Sequence, residues 1–382
     1  MRCVVVGAGA WGLPAAAELA RRGHDVTLID RYGVGNAQSS SSGPTRIWRL
    51  THPDAVRVRL AIRSVEAMDR LASLTDRPVY LRRGLLWRDD VSLDPVTSAL
   101  TAEGVAFERV AAADAGRFFP GLRPDGRDAV WQADAGPVLA ARSLAAQAEL
   151  FAAAGGTLDV GRLVTEVRTG PHGVALTTDD GPTLDADVAV LAPGPGAPAL
   201  LERLGVDLPL RPHLEQVVHF ADPEHPDATS GLPCLYDGPT DDEPGLYALP
   251  TPGVGYKVGL DQPLRDLVPG DEDRTPDPDL MAAATRRVRR DLTSVPVRPV
   301  DAHVCSWTDS PDGRFVIDTL PGGVVLACGD GGEGFKFSAL MGLVLADLAE
   351  GQSPDRHVAS FSLARFADGP PRFDETPHVL GR

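Results

Sequence analysis

Three glycines near the start of the chain have the spacing of a nucleotide-binding turn. Gly7, Gly9 and Gly12 form the pattern G-x-G-x-x-G between an apolar run and a segment with helical spacing. In such a turn the first glycine permits a tight bend, the second lets the backbone approach a pyrophosphate, and the third lets the helix pack closely on the strand. Asp30, which follows about twenty residues later, suits a ribose hydroxyl. The pattern predicts dinucleotide binding at a helix N-terminus, and it leaves NAD and FAD open.

The elements that must position this turn follow from the hydrophobic pattern. Residues 2–6 and 26–29 are short apolar runs typical of strands, and residues 13–22 have the spacing of a helix. A long amphipathic helix is predicted over residues 53–74. The same two patterns recur later, and they predict helices over residues 140–154 and 336–350 and strands over residues 158–167, 174–178, 186–191 and 323–327.

The stretch from residue 208 to residue 300 has a different character. Short apolar runs and proline-rich turns dominate it, which predicts an antiparallel sheet. A hairpin is expected from residues 246–249 and 255–260. The tail after residue 351 is expected to be an exposed loop.

Charge and composition exclude several classes of protein. The formal net charge of −16 argues against a nucleic-acid partner, because binding a polyanion needs clustered positive charge. No run of about 18 apolar residues occurs, so no membrane span is expected. The first residues lack a basic region followed by a cleavage site, which predicts a cytoplasmic protein. The four cysteines form no C-x-x-C pair, so we expect neither a metal site nor a disulfide framework.

Two stretches resemble the monomeric sarcosine oxidase and N-methyltryptophan oxidase family of flavoenzymes. The loop from Ser41 to Arg49 is similar to that family's S-x-x-G-x-T-R-x-x-R. The stretch from Cys305 to Leu348 is similar to C-x-Y-T-x-x-P-D-x-x-F-I-I-D followed by G-x-x-G-x-G-F-K-F. The strand that closes at Gly194 also resembles the second half of the FAD fold of glutathione-reductase-like flavoproteins. The resemblance covers nearly the whole chain.

This resemblance implies an α/β (α+β) fold with FAD as the cofactor. A glutathione-reductase-like Rossmann domain would hold the FAD and be interleaved with an antiparallel-sheet substrate domain, with the flavin at their junction. The expected boundaries are residues 1–80, 138–208 and 300–360 for the FAD-binding domain, residues 81–137 and 209–299 for the substrate domain, and residues 361–382 for a tail. The resemblance also favours a monomer.

The resemblance assigns roles to residues that are far apart in the sequence. Cys305 matches the cysteine that the family attaches covalently to the flavin. Arg49 and Lys336 match the pair that clamps the substrate carboxylate, a task that needs cationic hydrogen-bond donors. Arg46 matches a residue beside the flavin ring. Lys257 matches the lysine at which dioxygen reacts, where a fixed positive charge stabilises superoxide.

Each of these roles has a structural alternative. Arg49 or Lys336 could form an ordinary salt bridge, Arg46 could be a surface arginine, and Lys257 could be a solvated residue on a strand. Tyr247 matches a pocket tyrosine once a gap of one residue is allowed. The resemblance further implies flavin-binding positions at Ser42, Thr45, Val164, Gly194, Gly332, Gly334 and Phe335.

Three positions depart from the family pattern. Asp261 and Glu333 stand where the sarcosine-oxidising members have histidines, and His52 stands where a pocket tyrosine is usual. Two carboxylates in place of two imidazoles would make the pocket more acidic near neutral pH. An aspartate at the first position also occurs in the branch that oxidises a cyclic imino acid to picolinate. We therefore expect a substrate other than sarcosine, with a carboxylate plus an extra amine or a ring nitrogen; the alternative is that Asp261 and Glu333 point to solvent.

The predicted function is an FAD-dependent oxidase of the C–N bond of a small carboxylate-bearing secondary amine, amino acid or cyclic imino acid. Its products would be an imine and hydrogen peroxide, and dioxygen would be the electron acceptor. A flavin-dependent amino acid dehydrogenase that passes electrons to another acceptor is the main alternative. An NAD-dependent dehydrogenase would share the glycine turn but has no reason to keep the C-terminal motif. A non-catalytic binding protein would also share the turn, but it need not keep Arg49, Lys257 and Lys336 together.

Overall fold

The computed structural model describes residues 1–171, 173–181, 183–367 and 373. Its strands are β1 Arg2–Val6, β2 Asp25–Asp30, β3 Arg46–Trp48, β4 Leu85–Arg88, β5 Glu108–Val110, β6 Ala129–Gln132, β7 Gly136–Val138, β8 Thr157–Val160, β9 Val164–Gly170, β10 Gly173–Thr178, β11 Leu184–Ala186, β12 Val188–Leu191, β13 Arg211–Phe220, β14 Cys234–Asp237, β15 Leu246–Thr251, β16 Gly255–Leu260, β17 Arg265–Asp266, β18 Pro299–Asp309, β19 Val316–Leu320 and β20 Val324–Cys328. Its α-helices are α1 Gly12–Arg21, α2 Ala55–Thr75, α3 Leu93–Ala102, α4 Ala115–Phe118, α5 Ala140–Ala153, α6 Ala197–Arg203, α7 Pro278–Asp291, α8 Ser338–Ala349 and α9 Arg356–Ala359.

A six-stranded sheet forms the centre of the nucleotide-binding part. Its order is β19-β20-β12-β1-β2-β8, and every pairing except β19 with β20 is parallel. Alternate residues of β1 face opposite cores: Cys3 and Val5 pack in the cluster that contains helices α1, α5 and α8, while Val4 and Val6 pack in the cluster that contains α6 and β9–β11. A strand covered on both faces is apolar throughout, which explains the sequence of β1.

The glycine turn joins β1 to α1 in a space that admits no side chain. Gly7 has φ of +99°, and a Cβ there would lie 2.3 Å from the carbonyl oxygen of Ala192. A Cβ at Gly12 would lie 1.9 Å from the carbonyl oxygen of Gly7. The turn therefore requires glycine at both positions, and it brings the start of α1 to the carboxyl end of the central strand.

A nine-stranded sheet forms the second large unit. Its order is β17-β13-β16-β15-β14-β4-β6-β5, and β18 pairs with β13. The pairings are antiparallel except that between β14 and β4. The register places Glu215 opposite Cys305 and His219 opposite Lys257, so distant residues come together on one sheet. The predicted fold class, a mixed α/β architecture with a parallel nucleotide-binding sheet and a largely antiparallel sheet, is confirmed.

The division into domains stays a prediction. The predicted FAD-binding segments contain the strands of the six-stranded sheet, but they also contain residues 300–309 of β18, which pairs with β13 in the other sheet. No α-helix in the described ranges is long and apolar enough to cross a membrane.

Some predicted elements differ from the structure. The expected strand over residues 158–167 is two strands, β8 and β9, in different sheets, because Gly161 with φ of +92° turns the chain between them. The expected strand over 186–191 divides at Asp187 between β11 and β12. The helix expected from residue 336 is α8, and it begins at Ser338 after a short 3-10 helix, Gly334–Phe337.

Two errors of interpretation have clear physical causes. Residues 208–300 were expected to form an antiparallel sheet of short strands and proline-rich turns, and the helix α7 within them was missed. Asp277 caps the start of this helix, and Pro278 is its first residue. The chain after residue 351 was expected to be exposed, yet Val358 and Phe361 are buried, and the Phe361 ring lies 5.3 Å from that of Phe315. The remainder of the predicted tail, residues 368–372 and 374–382, lies outside the described residues.

Candidate active site

A cavity brings together residues from distant parts of the chain. It contains about 1000 Å³ of space, open mouth included. Strands β3, β4, β13–β16 and β18 and the turn before α8 supply its lining, which consists of Arg46, Ile47, Arg49, Trp87, Glu215, Val217, Tyr236, Tyr247, Leu249, Lys257, Asp261, Cys305, Trp307, Gly331, Gly332, Glu333, Phe335 and Lys336. All of the residues predicted to act on the substrate therefore face the same space, although their roles stay predictions.

Arg49 and Lys336 meet at the carboxylate of Glu333. Oε1 of Glu333 accepts hydrogen bonds from Nη2 of Arg49 at 2.5 Å and from Nζ of Lys336 at 3.2 Å. Nε of Arg57 lies 3.6 Å from the other oxygen, Oε2. We call Arg49 and Lys336 the clamp. Glu333 and Lys336 are brought to the same side because they lie three residues apart across the short 3-10 helix.

The charges of this cluster determine its protonation. Burial acts to raise the pKa of Glu333, but the positive charges of Lys336, Arg49 and Arg57 outweigh it, so the pKa lies below its ordinary value. Burial lowers the pKa of Lys336 to about 8, although Glu333 opposes the shift. Glu333 is 6% exposed and lines the cavity, as does Asp261, so the alternative in which both point to solvent is wrong.

Aromatic side chains form the wall next to the clamp. Cζ of Arg49 lies 4.6 Å from the ring centroid of Trp87, which stacks on Tyr236 with 4.0 Å between centroids. Oη of Tyr236 donates to Oδ2 of Asp261 at 3.4 Å. His52 lies outside the cavity lining, with Nδ1 3.4 Å from Nη1 of Arg49. Burial and the charge of Arg49 lower its pKa well below the ordinary value, so His52 is neutral and contacts the clamp.

Lys257 is an almost fully buried cation in the centre of the nine-stranded sheet. Its side chain is 2% exposed, and its ammonium donates a hydrogen bond to the carbonyl oxygen of Thr45. Burial and then the charge of Arg46 lower its pKa to about 7. The alternative of a solvated strand residue is therefore wrong. A group with this pKa changes its charge within the physiological range of pH.

Arg46 holds the polar loop that precedes it. Its Nη2 donates to the carbonyl oxygens of Ser40 at 2.9 Å and Ser42 at 2.6 Å. Thr45 is buried, and its Oγ1 lies 2.7 Å from Oγ1 of Thr251 on β15. Oγ of Ser42 is buried and has no hydrogen-bond partner in the described part of the chain, which leaves it available for a bound molecule.

Cys305 lies on β18 inside the cavity and is 7% exposed. Burial raises the pKa of its thiol, and the charge of Arg46 opposes this shift. Glu215, the residue opposite it on β13, accepts a hydrogen bond from Oη of Tyr247. Burial raises the pKa of Glu215 to about 7. The thiol thus shares the cavity with a carboxyl group that titrates near neutral pH.

The glycine turn fits a dinucleotide. Oδ2 of Asp30 accepts from the backbone N–H of Ala8 at 2.8 Å, and Oδ1 accepts from those of Tyr32 and Gly33. These bonds take three of the carboxylate's four acceptor positions, so one remains for a ribose hydroxyl. The N-cap residue of α1, Trp11, makes no capping hydrogen bond with its side chain, which leaves backbone N–H groups at this helix start suited to a phosphate.

The remaining predicted FAD residues lie at different places around this turn. A Cβ at Gly9 would lie 3.3 Å from Oγ of Ser41, which accepts from the N–H of Ala10. Gly194 begins the turn after β12, and Val164 begins β9. The carbonyl of Gly334 accepts from Nε1 of Trp11 at 3.0 Å, which connects the C-terminal motif to the glycine turn. None of Gly7, Gly9, Gly12, Asp30, Ser42, Thr45, Val164, Gly194 or Gly334 lines the cavity itself.

A group of potential metal ligands lies nearby. His219, Asp301 and His303 have ligand atoms within 4.8 Å of one another. Burial, then Lys257 and Arg46, lower the pKa of His219 to about 3 and that of His303 to about 2, so both imidazoles are neutral. The same two cations would repel a divalent ion, and this favours a structural interpretation.

Sequence reasoning missed several cavity residues. Glu215, Trp87, Tyr236 and Trp307 lie on four different strands, and their common location depends on pairings between strands far apart in the sequence. The one available signal is the alternation along β13, which places Glu215 and Val217 on the same face.

The chain combines a Rossmann sheet and its glycine turn with a cavity that contains buried cations and a thiol. This combination defines a dinucleotide-dependent oxidoreductase. Residues 2–348 match the family described as FAD dependent oxidoreductase (DAO), and the chain belongs to that family. The protein is therefore an FAD-dependent oxidoreductase.

Relatives named as amine and amino acid oxidases match nearly the whole length of the chain. Monomeric sarcosine oxidase from Streptomyces avermitilis is 28% identical over 381 residues, which cover 96% of this chain and 98% of that protein. N-methyl-L-tryptophan oxidase from Salmonella agona is 25% identical and covers 95% of this chain and 98% of its own. The open form of NikD, an unusual amino acid oxidase essential for nikkomycin biosynthesis, has 28% identity and a TM-score of 0.82, with 99% of this chain and 98% of that chain covered.

Proposed function

We propose that the protein oxidises the C–N bond of a small amine or amino acid and passes the electrons to dioxygen, so that the products are an imine and hydrogen peroxide. The observation that carries this proposal is the presence of Arg49, Lys336, Lys257 and Cys305 in one cavity. The resemblance assigns Arg49 and Lys336 to substrate binding, Lys257 to the reaction with dioxygen and Cys305 to flavin attachment. Relatives named as oxidases of sarcosine and N-methyltryptophan support the substrate class.

The dinucleotide would lie along the turn of Gly7, Gly9 and Gly12, with its pyrophosphate at the start of α1. Asp30 would accept a ribose hydroxyl. Further contacts are proposed for the predicted positions Ser42, Thr45, Arg46, Val164, Gly194, Gly332, Gly334, Phe335 and Lys336. The free Oγ of Ser42 supports this assignment.

The chain's own residues bind and orient the substrate. The cations of the clamp hold its polar end, while Trp87 and Tyr236 limit the space beside it. When bound, FAD supplies the two-electron acceptor for the hydrogen that leaves the carbon next to nitrogen. Buried side chains exclude water from this region, which strengthens the electrostatic interactions of Arg49 and Lys336.

Cys305 is the proposed covalent attachment point. Its sulfur would hold the flavin through a bond to the 8-methyl carbon; the thiol and the methyl group would each give up one hydrogen, and dioxygen would take up the two electrons and two protons as hydrogen peroxide. Its position in the cavity supports this assignment. Cys3, Cys234 and Cys328 are also buried and free, but none of them lines the cavity.

Lys257 favours an oxidase over a dehydrogenase. A buried ammonium stabilises the superoxide that forms after the first electron reaches dioxygen. A dehydrogenase that uses another acceptor has no need for such a charge.

We also propose a cytoplasmic monomer: four free cysteines suit a reducing compartment, and a relative is named as monomeric.

The experiment that tests this function is a screen of purified protein against secondary amines, amino acids and cyclic imino acids for peroxide release. We expect dioxygen consumption and peroxide formation with at least one substrate class. Anaerobic flavin reduction without later peroxide formation in air would instead support the dehydrogenase. Light scattering of the purified protein measures its molecular mass in solution and so tests the proposed monomer.

A further inference from the structure

Glu333 occupies the place where a substrate carboxylate was expected. Oε1 accepts from both members of the clamp, Arg49 and Lys336. These are the contacts that a carboxylate of an amino acid would make. The chain therefore contains its own competitor for the clamp.

The three cations around Glu333 hold it in this position. Arg49, Arg57 and Lys336 are 3%, 6% and 5% exposed, and each lies within 4.0 Å of a Glu333 oxygen. A buried carboxylate surrounded in this way is ionised, and moving it out would leave buried cations without their partner. A second carboxylate in the same place would meet the charge of Glu333 at short range.

Glu333 also balances the charge of the clamp. Its Oε1 accepts from Arg49 and Lys336, and its buried Oε2 lies 3.6 Å from Nε of Arg57. The clamp thus offers N–H donors to a ligand beside a carboxylate that is already in place. A carboxamide brings an acceptor oxygen for these donors and adds no charge, whereas a carboxylate brings a second negative charge.

We propose that Glu333 is a specificity-determining residue that makes the clamp select an uncharged carboxamide, so that the substrates are amides of amino acids in preference to free amino acids. The carboxamide oxygen accepts from Lys336 or Arg49, and its uncharged NH₂ group lies beside the carboxylate of Glu333 without repulsion. This inference rests on the proposed oxidation of a C–N bond, because it names the chemical group next to that bond.

Binding of unreactive ligands tests the inference without any need for turnover. Isothermal titration calorimetry on the holoenzyme would compare propanamide with propanoate, which have the same shape and differ in charge. We expect the wild-type protein to bind propanamide about tenfold more tightly or better, since the repulsion between propanoate and the carboxylate of Glu333 distinguishes the two ligands. Tighter binding of propanoate by the wild-type protein would overturn the inference.

The variant Glu333→Gln should reverse this preference. It removes the negative charge and keeps the shape, so propanoate should gain about 10- to 100-fold in affinity relative to propanamide. The matched control is Asp54→Asn, which removes a carboxylate that pairs with Arg57 outside the cavity and should leave the ratio of the two affinities unchanged. An equal loss of both ligands in Glu333→Gln, or the same shift in Asp54→Asn, would also overturn the inference.

Turnover separates this inference from the proposed function. L-Prolinamide and L-proline would be compared by kcat/KM, with preference for the amide expected. If the protein oxidises neither compound nor any other amine, the proposed function fails, but calorimetry still decides the role of Glu333. If Glu333→Gln does not fold, the relative affinity of the wild-type protein for propanamide and propanoate decides whether the inference holds.

Discussion

Replacing Lys257 with methionine should slow the reaction of the reduced flavin with dioxygen and remove its dependence on pH. Lys257 is buried beside Arg46, and its pKa is lowered to about 7. It is charged below this pKa and neutral above it. The favourable charge is therefore present at low pH and is lost as the pH rises through about 7.

The structure gives the size of the effect. In the wild-type protein about half of the Lys257 side chains are charged at pH 7 and about one in ten at pH 8, so the rate should fall about fivefold between these two pH values and by nearly tenfold per unit at higher pH. Lys257→Met should lower the rate at acidic pH by about 10²- to 10³-fold, the usual cost of losing one preorganised electrostatic donor. Lys257→Arg keeps a charge that does not titrate, and it should keep part of the rate without the pH dependence.

Stopped-flow mixing of reduced enzyme with aerated buffer from about pH 6 to pH 9 measures this rate. Anaerobic flavin reduction by substrate is the control, and Lys257→Met should change it much less. A wild-type rate that is constant over this range, or a variant that reacts with dioxygen as fast as the wild type, would refute the role assigned to Lys257.

Three further predictions concern the cofactor and the fold. Cys305→Ser should release its flavin on acid precipitation, whereas the wild-type flavin should stay with the pellet; yellow supernatants from both would exclude covalent attachment. Asp30→Asn should weaken FAD binding by about 10- to 100-fold in fluorescence titrations of the apoprotein, since it loses hydrogen bonds to a charged group; unchanged affinity would contradict the ribose assignment. Phe361→Ala should lower the free energy of unfolding by about 3–5 kcal/mol in urea titrations, because the ring is fully buried. The partly exposed Phe366 is its control, and equal effects would contradict the packing described for the segment after residue 351.

The parts of the fold that depend on local pattern could be predicted from the sequence. The strand, glycine turn and helix at residues 2–22 could be predicted because the turn has no space for a side chain at Gly7 or Gly12. The spacing of the glycines therefore marks the turn in the sequence. The hairpin of β15 and β16 was also expected, since alternation and turn residues specify it within fifteen residues. In contrast, α7 was missed because its capping signal, Asp277 followed by Pro278, stands in a stretch rich in proline.

The interior of the cavity could be predicted only in part. Arg49, Lys257 and Cys305 could be found from the sequence because each matches a residue of the family that the chain resembles. Their common location in one cavity becomes visible only in the structure. The pairing of Glu333 with Arg49 joins residues 284 positions apart, and its geometry depends on how the 3-10 helix meets the loop after β3. Burial of Phe361 is also a tertiary effect, since the local sequence after residue 351 lacks a periodic apolar pattern.

The central claim is that this cavity oxidises C–N bonds with FAD. The most direct measurement is the flavin absorption of the holoenzyme after anaerobic addition of each member of a panel of secondary amines, amino acids and their amides. We predict that at least one compound bleaches the flavin, and that air restores the colour with one peroxide formed per flavin. A flavin that stays oxidised with every compound, in a preparation fully loaded with FAD, would contradict the account.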